Sequence, residues 1–346
     1  MIVRHLVCCA TILAATTATP AASAESIADF YRGKTVTIYV GFGPGGGYDA
    51  YGQLLGMHIG RHIPGQPTVI VKHMPGAGSL ALANYLYNVA PADGTAFGIV
   101  AAGVALAPLI GAPTEKASVR YDASKFAWLG SLEKFTAIGI AWHTSGFRTL
   151  EDAKVRELRF GSTGPASGAE GYAVLLNELL GTKNKAIRGY RGSNDITLAM
   201  ERGEVDGFYG WCWTCMKADR PQYITEKKVN VLVQLALEPE PEMAGVPFVL
   251  DLIKDRKDNQ VVRLVLAGLA MSRPFAAPPA LPAERLQALR AAFVDTANDP
   301  VFLAAAMKAG RDISLFRGEQ IDALLRESYA LPGDVVRRAT EVFSAK

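Results

Sequence analysis

Thr35-Val-Thr-Ile-Tyr-Val-Gly-Phe-Gly-Pro-Gly-Gly-Gly-Tyr-Asp49 opens with β-branched and aromatic residues that suit a buried strand. The glycines then break the run into a turn, and Leu54, Leu55 and Ile59 predict an apolar helical face over Tyr48–Arg61. A strand feeding a glycine turn feeding a helix aims free backbone N–H groups at one point. The helix N-terminus adds partial positive charge there, so the turn suits an anion. Gly45, Gly46 and Gly47 let the backbone approach that anion closely.

Gly41, Gly43 and Gly46 spell G-x-G-x-x-G, the dinucleotide fingerprint. Two features argue against a nucleotide. Pro44 stiffens the turn, and the next strand, Thr68–Val71, runs into Lys72-His-Met-Pro75 with no acid at its end for a ribose. The Walker lysine and hydroxyl are also missing after the glycines, which excludes a P-loop. No cofactor is expected.

Residues 1–24 read as a secretory signal. Arg4 and His5 precede an apolar run to Ala15, and Ala22-Ser-Ala24 fits a cleavage site. No small residue stands in the lipobox place before Cys8 or Cys9. The mature chain is expected to begin near Glu25, exported to the periplasm, with no later apolar span of membrane length. The chain carries 36 Lys and Arg against 33 Asp and Glu, and loss of 1–24 removes only Arg4, leaving about +2. That balance does not call for nucleic acid or a membrane surface. The length suits two lobes. Cys212 and Cys215 remain in an oxidising compartment.

Downstream, strands alternate with helices. Thr68–Val71 is followed by Pro75-Gly-Ala-Gly78 and a helix over Ser79–Asn88, for which Ser79 is the expected cap. Thr95–Val100 completes a right-handed parallel α/β unit, and such sheets bind ligands beyond the carboxyl ends of their strands. Ala137–Ala141 reads as a strand and Thr149–Val155 as a helix. Leu158–Gly161 then opens into Ser162-Thr-Gly-Pro-Ala-Ser-Gly168 and a helix to Leu180, repeating the strand–loop–helix device. Strands into Trp211 and over Val229–Leu235 follow. Leu264–Met271 is expected to return the chain to the first lobe. Helices are expected over Pro282–Asn298, Pro300–Ala309 and from Gly318 to the end, with Leu286, Leu289 and Phe293 at core spacing.

Val40-Gly-Phe-Gly-Pro-Gly-Gly-Gly-Tyr-Asp49 resembles the opening motif of the Bug-type periplasmic receptors of tripartite tricarboxylate transporters. Further anchors follow in the right order: Met74–Gly78, Ala92–Thr95, Arg120–Asp122 with Phe126, Gly161–Gly164 with Ser167, Tyr190–Ser193, Gly203–Asp206, Gly245–Pro247 and Asn298–Pro300. The resemblance covers essentially the whole mature chain. It implies an α/β, type II-like, two-lobed periplasmic binding protein with parallel-rich sheets, crossing hinge strands and a ligand cleft between the lobes. Residues 25–130 would begin lobe 1, 131–244 would form lobe 2, and 245–346 would return to lobe 1 with the C-terminal helices.

The resemblance also implies a monomeric receptor that closes on a small carboxylated solute, a di- or tricarboxylate or an aromatic acid, and hands it to transporter membrane subunits. The ligand carboxylate would lie between the two small-residue loops, at Phe42, Gly45, Gly46, Gly47 and Asp49 and at Ser162, Thr163, Gly164 and Ser167. Tyr190, Arg191 and Gly192 match a further cleft-lining loop. Gly210-Trp211 stands where many relatives have Asp-Ser, and Tyr48 where a small or hydroxylated residue is common, so both are expected to make the cleft more aromatic. Neither glycine-rich loop holds an Arg or Lys. Backbone N–H groups, hydroxyls and helix N-termini are expected to hold the anion, with Arg191 the only nearby cation among the matched anchors.

Other readings compete at several positions. Trp211-Cys-Trp-Thr-Cys215 fits a thioredoxin-like W-C-x-x-C, but also a structural disulfide or two inert thiols lining the cleft. His58 and His62 lie four apart on the first helix without an intervening Glu or a third ligand, which favours a solvated face over a metal site. Asp49 is a candidate acid, a brace for its loop, or an acceptor for a ligand donor. No G-x-S-x-G surrounds Ser79, Ser167 or Ser193, and no nucleophile, base and orienter cohere. The expectation is therefore a receptor and no enzyme. An exported enzyme acting on a carboxylate and a sensor for a signalling partner are the alternatives.

Overall fold

The structure is a computed structural model that describes residues 25–111, 116–134, 136–165 and 167–344. The leader and its cleavage near Ala24 lie outside the described residues. β1 (Thr35–Val40) buries Val36, Ile38 and Val40 completely and turns the residues between them outward. The glycine turn then enters the helix Gly47–Ile59, which buries Tyr51, Leu54, Leu55 and Ile59 on one face. β2 (Thr68–His73) and β3 (Ala96–Ile99) flank β1 in parallel.

Two mixed sheets result, rather than wholly parallel ones. β4 (Ala127–Ser131) lies in the first sheet, and β5 (Ala137–Trp142) begins the second. β6 (Leu158–Ser162) pairs in parallel with β7 (Asn184–Arg188) and β8 (Gly207–Cys212), while β5 runs antiparallel between β8 and β9 (Val229–Leu235). The return strand is β10 (Pro274–Ala277), antiparallel to both β3 and β4, with β11 (Phe316–Arg317) at the edge. The orders are β11-β4-β10-β3-β1-β2 and β7-β6-β8-β5-β9. β5 follows the first crossing between the lobes and β10 the second, and each runs antiparallel to both of its neighbours.

Several local expectations change. Leu264–Met271, expected to return the chain to the first lobe, is helical, comprising the end of the helix Arg256–Ala267 and a 3-10 turn, Gly268–Met271, just before β10. The helix expected from Thr149 spans only Asp152–Val155. The final helix is two, Gly318–Tyr329 and Gly333–Ser344, separated around Pro332. Ser79 precedes the helix Leu80–Asn88 at φ 78° without a capping hydrogen bond. Its hydroxyl instead accepts from the Ala101 N–H at 3.2 Å, tying the second glycine turn to the end of β3.

The crossings are stitched together. Ser272 N–H donates to the Glu133 carbonyl at 3.1 Å, and Arg273 N–H donates to Ser131 Oγ at 3.1 Å. The lobes also touch across the cleft mouth. Gly43 N–H donates to the Arg191 carbonyl at 2.7 Å, and Gly78 N–H to the Thr163 carbonyl at 2.9 Å. An Arg311–Asp219 ion pair adds a third link.

Candidate functional site

A cavity lies between the lobes where four helices begin. Its walls include Phe42, Gly46, Gly47 and Tyr48, Ala101–Gly103, Thr163, Ser167–Ala169, Gly192 and Ser193. These are the N-terminal ends of the helices Gly47–Ile59, Gly103–Ile110, Gly168–Leu180 and Ser193–Glu201. Gly46, Ala102 and Gly192 cap their helices without any side-chain hydrogen bond. The first turns at Gly47 and Ser193 therefore keep donors for a ligand, whereas Val104 and Ala105 N–H already donate to the Ala101 and Ala102 carbonyls. Each such terminus contributes about 0.3–1 kcal/mol toward an anion, more when partly buried.

The residues carried over from the sequence divide into two groups. Phe42, Gly46, Gly47, Tyr48, Thr163, Ser167, Gly192 and Trp211 line the cavity. The others brace it or face elsewhere. Gly45 is exposed, and its N–H donates to Asp49 Oδ2 at 2.7 Å. Asp49 also lies 2.7 Å from His73 Nε2, so it holds the glycine turn against the end of β2. Ser162 is fully buried and spends its hydroxyl inside its own lobe, donating to Glu170 Oε1 at 2.6 Å and accepting from Gly164 N–H at 2.9 Å. Gly164 and Tyr190 do not line the cavity among the described residues. Arg191 points to solvent, paired with Asp195 at 2.9 Å, and reaches the cleft mouth only through its carbonyl. It is not the nearest cation to the site.

That cation is Arg273, which the sequence reading missed. It stands just before β10, and its guanidinium enters the cavity beneath the glycine turn. A Cβ on Gly47 would lie 2.4 Å from Arg273 Nη2, so only glycine admits the side chain there. The guanidinium also lies 4.3 Å from the Tyr48 ring centroid, and that ring stacks on Phe42 at 3.9 Å. Its one trace in the sequence is a lone charge between Met271 and the apolar strand Pro274–Ala277.

Arg273 is neutralised from behind. Its Nε donates to Glu133 Oε2 at 2.7 Å, and both side chains are almost wholly buried. Burial drives the Glu133 carboxyl above its ordinary range against the pull of Arg273. Burial would lower the guanidinium, but the Glu133 charge and hydrogen bond, with Tyr48 and Tyr51, together outweigh it and the net direction is upward. These directions oppose each other as a pair. A guanidinium does not give up its proton in a protein, and its charge at 2.7 Å favours the ionised Glu133 carboxylate against burial. The cavity therefore offers an anion a cation whose charge is largely cancelled.

Cys212 and Cys215 are disulfide-bonded at the C-terminal end of β8, where Cys212 caps the short helix Trp213–Asp219. The sulfurs lie 3.5 and 3.6 Å from Glu133 Oε1, and Arg273 Nη2 donates to Cys215 Sγ at 3.2 Å. The bond thus packs lobe 2 onto the hinge pair. Glu133 and the two sulfurs are the one cluster of metal-ligand type among the described residues, but the disulfide and the adjoining guanidinium oppose a cation there. His62 is paired with Asp299 at 2.8 Å, away from the cleft.

Thr163 supplies the most pointed polar feature. Its Oγ1 is buried, has no hydrogen-bond partner among the described residues, and belongs to a residue that lines the cavity. Buried hydroxyls are almost always satisfied. Trp211, packed on Phe208 at 5.8 Å, forms the apolar wall of the cavity.

No family model matches the chain, and no curated protein matches it. Solved structures share its fold. The periplasmic binding protein BugD is 19% identical over 90% of this chain and 97% of its own, with a TM-score of 0.67. MatC from Rhodopseudomonas palustris, solved with bound malate, is 19% identical over 90% and 99%, with a TM-score of 0.66. A third structure, an R. palustris protein with adipate, is 15% identical over 88% and 97%, also at 0.66. The chain therefore has the two-lobed fold of periplasmic binding proteins.

Proposed function

We propose that this chain is a periplasmic solute receptor that binds a small organic carboxylate between its lobes and delivers it to a tripartite tricarboxylate-type membrane transporter. The observation that carries this reading is the unpartnered Thr163 Oγ1, buried at a cavity onto which four helix N-termini converge. The carboxylate is held by first-turn N–H groups at Gly47 and Tyr48 and by the Thr163 hydroxyl, with Arg273 beside it. Hydrogen bonds to a charged acceptor contribute about 1.5–3 kcal/mol each, so the site needs no unpaired cation. The shared fold of proteins solved with malate and adipate supports the same ligand class.

Closure is the working step. The contacts Gly43–Arg191 and Gly78–Thr163 join the loops that flank the ligand, so an anion bridging both lobes favours the closed state. The protein acts as a monomer, without cofactor, and leaves its ligand chemically unchanged. Purified protein mixed with a panel of carboxylic acids tests this. A raised melting temperature with each acid recovered intact is expected. Turnover of an acid, or no response to any, overturns the reading.

A further inference from the structure

A second, apolar recess adjoins the cleft. It is lined by Leu106, Ala107 and Ile110 from the helix Gly103–Ile110, by Val265, and by Pro165 and Gly171. Ala102, Gly103, Ser167, Gly168 and Tyr172 belong to both cavities, so the two meet at Tyr172. No charged side chain lines the recess among the described residues, and Arg273 is the one that lines the cleft. Its charge is already met by Glu133, which leaves a second or third ligand carboxylate without a counter-charge.

Tyr172 provides an independent sign. Six tyrosines are buried among the described residues. Five of them donate: Tyr31 to Gly94, Tyr51 to Asp312, Tyr121 to Val104, Tyr209 to Asn184 and Tyr223 to Glu201. Tyr172, 8% exposed, has no hydrogen-bond partner among the described residues. Its hydroxyl is not sealed from solvent, and Tyr172 lines both cavities, so a ligand passing from cleft to recess runs beside a phenol with no protein partner to surrender. Burial also raises its pKa, so it remains a donor.

We propose that the ligand is a monocarboxylate with an apolar body. Its carboxylate sits in the cleft, its alkyl chain or aromatic ring passes Tyr172 into the recess, and an oxygen along that body accepts from the Tyr172 hydroxyl. This rests on the receptor reading and narrows it. Small hydroxylated di- and tricarboxylates leave the recess empty and bring charges that the site does not match.

Calorimetric titration with straight-chain acids from propionate to decanoate, 3-phenylpropanoate, phenoxyacetate, malate and citrate tests the proposal. Affinity should rise by about fourfold per added methylene until the recess is full, and malate and citrate should bind weakest. Ala107→Phe, which fills the recess, should weaken octanoate at least tenfold and leave propionate within twofold. Val265→Phe, at a half-buried position on the opposite wall, gives the same reading if the first variant does not fold. Tyr172→Phe should weaken phenoxyacetate and spare its all-carbon counterpart, 3-phenylpropanoate. Tighter binding of malate or citrate than of octanoate overturns this inference while leaving the receptor reading intact. Equal weakening of short and long acids in a folded recess variant does the same. An equal effect of Tyr172→Phe on the two aromatic acids removes the oxygen contact. Binding of no acid overturns both readings.

Discussion

The Arg273 guanidinium lies 2.7 Å from the Glu133 carboxylate, so the segment by which the chain leaves the first sheet is ion-paired to the segment by which it returns. The pair lies at the back of the interlobe cavity, where it ties the two crossings together and meets the charge that Arg273 brings there; under the receptor reading, it also cancels a charge that would otherwise dominate anion binding. Glu133→Gln separates these roles. A buried cation left without its partner typically costs about 3–5 kcal/mol, so the denaturation midpoint should fall sharply. Anion affinity should rise at the same time, because Arg273 is no longer neutralised. Unchanged stability would show that the pair does not hold the hinge.

Gly46 tests closure. Its φ of −95° suits any residue, but an added Cβ would lie 2.8 Å from Ser193 Oγ on the opposite lobe. Gly46→Val should therefore obstruct the closed state more than the fold. The expected result is at least a tenfold loss of affinity for a binding acid, with a melting temperature for the free protein close to the parent's. Parental affinity would place Gly46 outside the closing surface.

The disulfide closes a very short loop, so chain entropy gives it little to add, about 2 kcal/mol or less. Its sulfurs nonetheless rest against Glu133 and Arg273. Mild reduction should lower the unfolding midpoint modestly without unfolding the chain. Thiol counting on unreduced, denatured mature protein should find none, whereas two free thiols would show that the bond is absent.

Asp299 sets an acid limit. Burial raises its carboxyl, but the hydrogen bonds from Val301 N–H, His62 and Arg61, with the Arg61 charge, outweigh it and bring the pKa to about 2. A depressed folded value means stability that is present above the unfolded value near 4 and is lost as pH falls toward about 2. Asp299→Asn keeps a capping oxygen but removes the charge. Its melting temperature should lie below the parent's at pH 5–7, and the gap should close as pH drops from about 4 to about 2. A constant gap across that range would contradict the pairing.

The strand, glycine turn and helix over 35–59 were legible because each rests on local physics: alternating burial, the conformational freedom of glycine, and an apolar helical face. The Ser162–Gly168 loop was legible for the same reason, and with the first loop it located the cavity. Local pattern did not separate lining from bracing. Asp49 and Ser162 carry suitable chemistry, yet one ties its turn to His73 and the other bonds to Glu170 inside its lobe. Only packing decides which way such a side chain is spent.

Arg273, Glu133 and Tyr172 belong to tertiary structure alone. Glu133 and Arg273 are brought together by two crossings between sheets, and nothing in either local sequence marks the partner. Tyr172 reads as an ordinary aromatic on a helix face. Its significance lies in its place where two cavities meet, because which residues border a cavity depends on every element packed around it. The sequence by itself determined the strand–glycine turn–helix units, which follow from short-range backbone preference and periodicity, while its length and its family resemblance pointed to two lobes. The neutralised cation and the apolar recess were decided by the tertiary structure, since both arise from contacts between residues far apart in the chain.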